Sequence, residues 1–170
     1  MEPVTSDIIK RVHELFKDSA LTLSIAESCT GGLVCHYITS LPGASAFFTA
    51  GIVSYAEDIK KNILGVTSET IDKFGVVSEE TVREMAEKIR LLSKTDCSLA
   101  TTGNIGPGVL EGKERGLVYI AASKEGKTVS GELRLKGDRE ENKKEAAASA
   151  LRLLIELVQE GRDNPAPTEQ

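Results

Sequence analysis

The sequence predicts an α/β protein, a three-layer α/β/α sandwich in which helices cover both faces of a mixed β-sheet. Helical and strand patterns alternate along the chain, and two short apolar strands run into small-residue turns. Two adjacent strand patterns late in the chain add an antiparallel hairpin. The 170 residues suit one domain, predicted over residues 1–160, and a flexible tail is predicted over residues 161–170.

The first half of the chain alternates between the two patterns. Ile8, Val12, Leu15 and Phe16 recur at helical spacing, and residues 5–7 (Thr-Ser-Asp) offer N-caps for that helix. The other elements predicted in this half are a strand over 21–26, a helix over 33–41, a strand over 46–55, a helix over 56–64 and a short helix over 68–73.

The second half ends on a long helix. Ser78 is predicted to cap a helix, with Glu79 and Glu80 in its first turn. The predicted apolar face of that helix consists of Val82, Met85, Ala86, Ile89 and Leu92. The remaining predictions are a strand over 97–101, a loop over 109–115, strands over 117–123 and 128–135 joined by a hairpin turn at 125–127, and a helix from Asp138.

Composition argues against several classes of function. The formal net charge of −5 disfavours nucleic-acid binding, which needs a basic stripe. Four Phe, three Tyr and no Trp are too few for a base-stacking platform. No 18 apolar residues run together, so no membrane association is expected. Three cysteines without metal-ligand spacing predict neither disulfides nor a metal site, and favour the reducing cytoplasm.

Residues 28–32, Ser-Cys-Thr-Gly-Gly, lie between a predicted strand and a predicted helix. Glycines let a backbone approach a ligand, and the N–H groups at a helix start attract anions. The hydroxyl of Ser28 is therefore a candidate nucleophile whose neighbouring N–H groups could hold an oxyanion. A capped helix with glycines for close packing explains the same pattern. Cys29 is either a rival nucleophile or a small buried thiol.

A second glycine-rich turn, residues 102–108, follows another predicted strand. Two such turns at strand ends suit a ligand crevice at the edge of an α/β sheet, although an ordinary turn containing Pro107 has the same pattern. Arg139 opens the last helix beside Glu140 and Glu141. It is either an anion-binding group or part of a solvated face.

Lys60 and Lys61 can be distinguished by helical geometry. If this segment is a helix, Ala56, Ile59 and Ile63 mark its apolar face. Lys60 then lies about 70° from the centre of that face, and Lys61 about 170°. Lys60 is therefore predicted to be the partly buried lysine, where loss of water lowers the pKa toward that of a general base. Alternatively, its methylene chain only covers the core.

The order of these segments resembles the C-terminal domain of the CinA (competence/damage-inducible protein A) family, over about residues 6–158. The stretches that carry the resemblance are AESCTGG at 26–32, LPGAS at 41–45, Tyr55 followed five residues later by Lys60, LGV at 64–66, GVVSEE at 75–80 and GPG at 106–108.

The resemblance implies an amidohydrolase, nicotinamide-nucleotide amidase, which converts nicotinamide mononucleotide to nicotinate mononucleotide and ammonia in pyridine-nucleotide salvage. It implies a nucleophilic Ser28 assisted by Tyr55 and Lys60, no metal or organic cofactor, and a homo-oligomer. The substrate-binding residues expected from the two glycine turns and the start of the last helix are Thr30, Gly31, Gly32, Thr102, Gly103, Gly106, Gly108 and Arg139.

Three departures from the family pattern concern the substrate. The second glycine turn usually reads T-G-x-A-G-P-x-G, whereas Asn104 and Ile105 stand before Gly106, and Ile105 replaces a small residue. The usual K-P-V-G that follows is K-E-R-G at 113–116, and Lys143 occupies the place of a further arginine. A non-catalytic nucleotide-binding or interaction module of the same fold is therefore the alternative function.

Overall fold

The computed structural model describes residues 3–163. Its five strands are β1 (Leu23–Glu27), β2 (Phe48–Val53), β3 (Cys97–Gly103), β4 (Leu117–Lys124) and β5 (Lys127–Arg134). They form one sheet in the order β2-β1-β3-β4-β5. Strands β2, β1 and β3 are parallel, whereas β4 and β5 are antiparallel to their neighbours. The predicted mixed sheet and late hairpin are confirmed.

Helices cover both faces of this sheet, as predicted. They are α1 (Pro3–Ser19), α2 (Leu33–Thr39), α3 (Glu57–Ile59), α4 (Ser68–Phe74), α5 (Glu79–Ser93) and α6 (Arg139–Asp163), and a π-helical turn (Lys60–Leu64) continues α3. Helices α1, α2 and α6 share one core with the sheet, and α4 and α5 share a second. No helix within residues 3–163 is both long and apolar enough to cross a bilayer.

The two faces of the central strands carry different side chains. Leu23 and Ile25 of β1 enter the core beneath α1 and α6. The opposite face of β1 and β3 carries small residues, and two serine hydroxyls there donate to carbonyl oxygens of α5: Ser24 to Ile89 at 3.3 Å and Ser98 to Ala86 at 2.5 Å. Small residues and serine let α5 approach the sheet closely without leaving buried hydroxyls unpaired.

The parallel strands bring three chain segments to one edge of the sheet. Strands β1, β2 and β3 all run the same way, so Glu27, Val53 and Gly103 end them on the same side. Both glycine turns and the segment containing Lys60 follow these ends. This is the edge at which open α/β sheets bind ligands.

Three details of the sequence prediction need correction. Thr5 lies within α1, which begins at Pro3, because proline suits the first helical turn. Leu92 is 55% exposed, because it lies about 70° from the centre of the buried face of α5. Helix α6 extends to Asp163, so residues 161–163 of the predicted tail are helical, and the rest of that tail lies outside the described residues.

A capping box begins α6 and yields a stability prediction. The Asp138 carboxylate accepts from the Glu141 N–H at 2.9 Å, and the Glu141 carboxylate accepts from the Asp138 N–H at 2.8 Å. We expect Asp138→Ala to lower the free energy of unfolding by about 1 kcal/mol, measured by urea denaturation. Glu156→Ala, an exposed position of the same helix, is the control. Equal stability of the two variants would contradict the capping role.

Candidate active site

The loops at this edge of the sheet enclose a cavity of about 320 Å³. A larger groove of about 570 Å³ between α1, α6 and the segment that follows β5 contains neither Ser28 nor Lys60. The smaller cavity is therefore the candidate active site. Its walls are formed by Ser28 and Cys29 after β1, Tyr55 and Lys60 after β2, residues 76–77 before α5, residues 102–110 at the end of β3 and after it, and Arg139.

The centre of the site is a hydrogen bond between Lys60 Nζ and Ser28 Oγ, 2.9 Å long. The same amino group donates to the carbonyl oxygens of Ser54 at 2.7 Å and Tyr55 at 3.2 Å. A neutral amine has two N–H groups and one lone pair. If the two carbonyls accept the two N–H groups, the lone pair faces the Ser28 hydroxyl. The arrangement is that of a serine held against a general base.

Burial lowers the pKa of Lys60 from its ordinary 10.5 to about 8, an effect that the carboxylates of Glu111 and Glu57 only partly oppose. The Lys60 side chain is 2% exposed. Lys61 instead forms an ion pair with Glu57 at 2.7 Å. The predicted burial of Lys60 rather than Lys61 is confirmed.

The apolar face from which that burial was predicted is wrong. Ile59 and Ile63 are 38% and 51% exposed, because the helix changes from α to π geometry at Lys60. The wider turn directs Lys60 and Leu64 inward, and these are its two buried residues. A local insertion of this kind is frequent at functional sites.

The turn that carries Ser28 depends on Glu27, which the sequence analysis did not identify. Its carboxylate is fully buried and accepts hydrogen bonds from the Thr30 hydroxyl at 2.5 Å and from the N–H groups of Val34 and Cys35 at 2.9 and 3.0 Å. The two N–H groups belong to the first turn of α2, where no helical acceptor exists and a negative charge is favoured. The sequence signal for this role is an acidic residue directly before a glycine turn and a helix.

Thr30, Gly31 and Gly32 were expected to bind substrate, but none of them is among the residues that line the cavity. Thr30 is fully buried. The Gly31 N–H donates to the Ser28 carbonyl at 3.0 Å, so it is not free to hold an oxyanion. The φ angles of Gly31 and Gly32 are +60° and +98°, values that favour glycine. Both glycines therefore shape the turn between β1 and α2.

The second glycine turn does form a wall of the cavity, which includes Thr102, Gly103, Gly106 and Gly108. The Thr102 hydroxyl donates to the Val76 carbonyl at 2.7 Å and thereby joins two walls. A Cβ on Gly103 would lie 2.9 Å from the Cα of Val118. Only glycine fits at this point of the β3–β4 pair.

Tyr55 and Arg139 meet at the rim of the cavity. Arg139 Nη2 donates to the Tyr55 hydroxyl at 3.1 Å, and Nη1 reaches the Ile105 carbonyl at 3.4 Å. The Tyr55 side chain is well exposed, and only its carbonyl oxygen contacts Lys60. Proton transfer from Ser28 to Lys60 in this geometry does not require the Tyr55 hydroxyl.

Cys29, the other candidate nucleophile beside Ser28, is a poorer one. Burial, reinforced by the charge of Glu27, raises the pKa of Cys29 to about 12. The thiolate is the reactive form of cysteine, so this thiol has little nucleophilic character. Among residues 3–163, no group of three or more His, Cys, Asp or Glu side chains could hold a metal ion.

A family model for the CinA C-terminal domain matches residues 5–158. The chain belongs to the CinA family. The fold agrees: the crystal structure of competence/damage inducible protein CihA from Agrobacterium tumefaciens matches with a TM-score of 0.89 and 34% identity, over 92% of this chain and 97% of that one. A crystal structure of a CinA superfamily protein from Klebsiella pneumoniae gives a TM-score of 0.88 at 30% identity, over 92% of this chain and 98% of that one.

Two relatives in the CinA family are longer. A putative competence-damage inducible protein of Thermoanaerobacter pseudethanolicus is 43% identical over 144 residues, 84% of this chain and 35% of that protein. A CinA-like protein of Kosmotoga olearia is 45% identical over 152 residues, 86% of this chain and 37% of that protein. The chain thus spans little more than a third of the length of these relatives.

Three residues that depart from the CinA pattern lie in or near the two glycine turns. Asn104 is buried and organises the loop after β3: its Nδ2 donates to the carbonyls of Gly108 at 2.8 Å and Lys113 at 3.1 Å. Ile105 is buried in the core with α1 and α6 and also contributes to the cavity wall. Lys143 lies against the first glycine turn, with Nζ 3.4 Å from the position of a Cβ on Gly31.

The burial of Lys60 makes stability depend on pH. Its pKa is lower in the folded state, about 8, than the ordinary 10.5, so the unfolded chain binds more protons between these values. We expect the free energy of unfolding, relative to Lys60→Met, to rise by about 3 kcal/mol between pH 8 and 10.5, to lose that gain as pH falls back toward 8, and to level off below pH 8.

Urea denaturation across this pH range measures the effect, and Lys61→Met is the matched control. The unmodified protein should show no comparable rise relative to Lys61→Met, because the hydrogen bond to Glu57 raises the pKa of Lys61 instead of lowering it. A difference between the unmodified protein and Lys60→Met that does not change with pH would contradict the burial of an ionisable amine.

Proposed function

We propose that this CinA domain is an amidohydrolase that converts nicotinamide mononucleotide to nicotinate mononucleotide and ammonia. The observation that carries the proposal is the 2.9 Å contact between Ser28 Oγ and the buried Lys60 Nζ in the wall of a cavity. A serine and a lysine of lowered pKa form a nucleophile and its base without a histidine. The cavity volume of about 320 Å³ is within the range for small-molecule sites.

The reaction follows from the positions of these two groups. Neutral Lys60 accepts the Ser28 proton while Ser28 Oγ bonds to the carboxamide carbon. The C–N bond then breaks, and the proton on Lys60 passes to the leaving nitrogen, which departs as ammonia. Water hydrolyses the resulting ester, with Lys60 again as base, and restores the Ser28 hydroxyl. In an alternative route, Ser28 only orients the attacking water and no acyl-enzyme forms. An acyl-enzyme trapped by acid quench would therefore favour covalent attack by Ser28.

The charges around the cavity favour an anionic substrate. Arg139 lines the rim of the cavity and carries a positive charge. No carboxylate of the described residues lines this cavity. We infer that Arg139 and the turn at 102–108 hold the phosphate while the carboxamide reaches Ser28. The exposed Tyr55 hydroxyl, bonded to Arg139 at 3.1 Å, orients that guanidinium.

Removal of either reacting group tests the proposal. We expect Ser28→Ala and Lys60→Ala each to lower ammonia release from nicotinamide mononucleotide by about 1,000-fold or more, assayed with EDTA present. Lys61→Ala should keep most of the rate, because Lys61 pairs with Glu57 outside the cavity. Full activity in Lys60→Ala would contradict its role as base. Nucleotide binding without turnover in the unmodified protein would favour the non-catalytic module.

The rate should also rise with pH. Only neutral Lys60 can accept a proton, so a pKa of about 8 predicts that kcat/KM increases about 50-fold between pH 6 and 8 and levels off above pH 9. Initial rates of ammonia release across this range measure the profile. A profile that is flat between pH 6 and 8 would show that a group other than Lys60 acts as base.

A further inference from the structure

Glu27 is a buried charge that the reaction described above does not use. Its side chain is fully buried, yet it forms none of the ion pairs found among the described residues. A buried carboxylate is costly unless hydrogen bonds satisfy it. Two of its three donors are N–H groups of α2, and the third is the Thr30 hydroxyl. The hydrogen bond from the Thr30 hydroxyl is the one that leads toward the candidate active site.

The direction of each hydrogen bond in this chain can be deduced. An ionised carboxylate only accepts, so the single Thr30 hydroxyl proton points to Glu27, at the short distance of 2.5 Å. The bond of 2.8 Å between the Thr30 and Thr101 hydroxyls must therefore be donated by Thr101. Thr101 Oγ1 is then an acceptor for the Ser28 N–H at 3.4 Å. The chain runs one way, from the Ser28 backbone to the carboxylate.

The backbone of Glu27 reaches the base as well. Its carbonyl oxygen accepts from the Ser54 N–H at 2.7 Å and from the Ser54 hydroxyl at 3.2 Å. The Ser54 carbonyl in turn accepts from Lys60 Nζ. One residue thus connects to Ser28 through its side chain and to Lys60 through its main chain.

We propose that Glu27, through Thr30 and Thr101, is a positioning residue that sets the Ser28 hydroxyl against Lys60. The proposal rests on the nucleophile and base of the proposed function, and not on the identity of its substrate. Displacements of about 1 Å in such a pair can cost about 100-fold in rate. The relay threonines therefore act on the reactivity of Ser28 without touching substrate, since neither lines the cavity.

Thr30→Val tests the relay, because it removes the hydroxyl at nearly constant volume and leaves the bonds from Glu27 to α2 in place. We expect kcat for ammonia release to fall about 10- to 100-fold while KM changes little. Thr30→Ser should recover most of the loss. Thr101→Val breaks the next link and should give the same reduction, which keeps the test available if Thr30→Val does not fold.

A second readout makes the result independent of the substrate. Phenylmethylsulfonyl fluoride labels a reactive serine: the serine oxygen bonds to sulfur, fluoride leaves and the serine proton passes to the base. The rate of Ser28 labelling, followed by mass spectrometry, should fall with kcat in both valine variants. Thr95→Val is the matched control. It removes another buried threonine bond, 2.7 Å to Ser24 near the opposite ends of β1 and β3, and should not slow labelling.

The two proposals fail in different ways. Labelling of Ser28 at the same rate in Thr30→Val, Thr101→Val and the unmodified protein would overturn the positioning role, even if ammonia release is normal. Absence of ammonia release from the unmodified protein, together with labelling that still depends on both threonines, would overturn the proposed substrate and support the positioning role. An equal slowing in Thr95→Val would overturn it too, because the effect would then be general destabilisation.

Discussion

The amino group of Lys60 is buried, no carboxylate among residues 3–163 is in hydrogen-bond contact with it, and the surrounding structure is arranged around that constraint. Its partners are two carbonyl oxygens and a serine hydroxyl. Dipoles of this kind satisfy the donors but compensate the charge only in part, so the proton is held weakly. Burial destabilises the protonated form of the amine. The same interaction therefore lowers the free energy of unfolding and lowers the Lys60 pKa, so that the amine can act as a base near neutral pH. Stability and reactivity are therefore coupled at this residue.

The sheet topology explains why these partners meet. Ser28, Ser54 and Thr101 come from three parallel strands or the residues that follow them, and parallel strands end at one edge. Each contributes a polar atom at or near the end of its strand. Nearer the start of β1 and β3, serine hydroxyls donate hydrogen bonds to α5 instead. The same residue type thus supports packing within the sheet and a polar network at its edge.

The sequence predicted the elements that depend on local pattern. The Ser28 turn, the Ser78 cap and the burial of Lys60 follow from residues close in the chain, although the π-helical turn at Lys60 overturned the helical face that was assumed. The Glu27 network was not predictable, because its donors and acceptors become neighbours only after folding: Thr101 is 71 residues from Thr30. The expected roles of Thr30, Gly31 and Gly32 changed for the same reason. Which N–H groups remain free is a property of the folded turn.

The hydrogen bonds of Glu27 bear on the pKa of Lys60. Glu27 precedes the nucleophile directly, and a carboxylate free to reach Lys60 would form an ion pair that raises the lysine pKa and removes the base. The Glu27 oxygens instead accept hydrogen bonds from Thr30 and the start of α2. The helix N-terminus therefore stabilises the acid, and the Glu27 carboxylate is not a hydrogen-bond partner of the Lys60 amine. The glycine turn lets α2 begin close enough to do so, which links the CinA sequence signature to the electrostatics of the site.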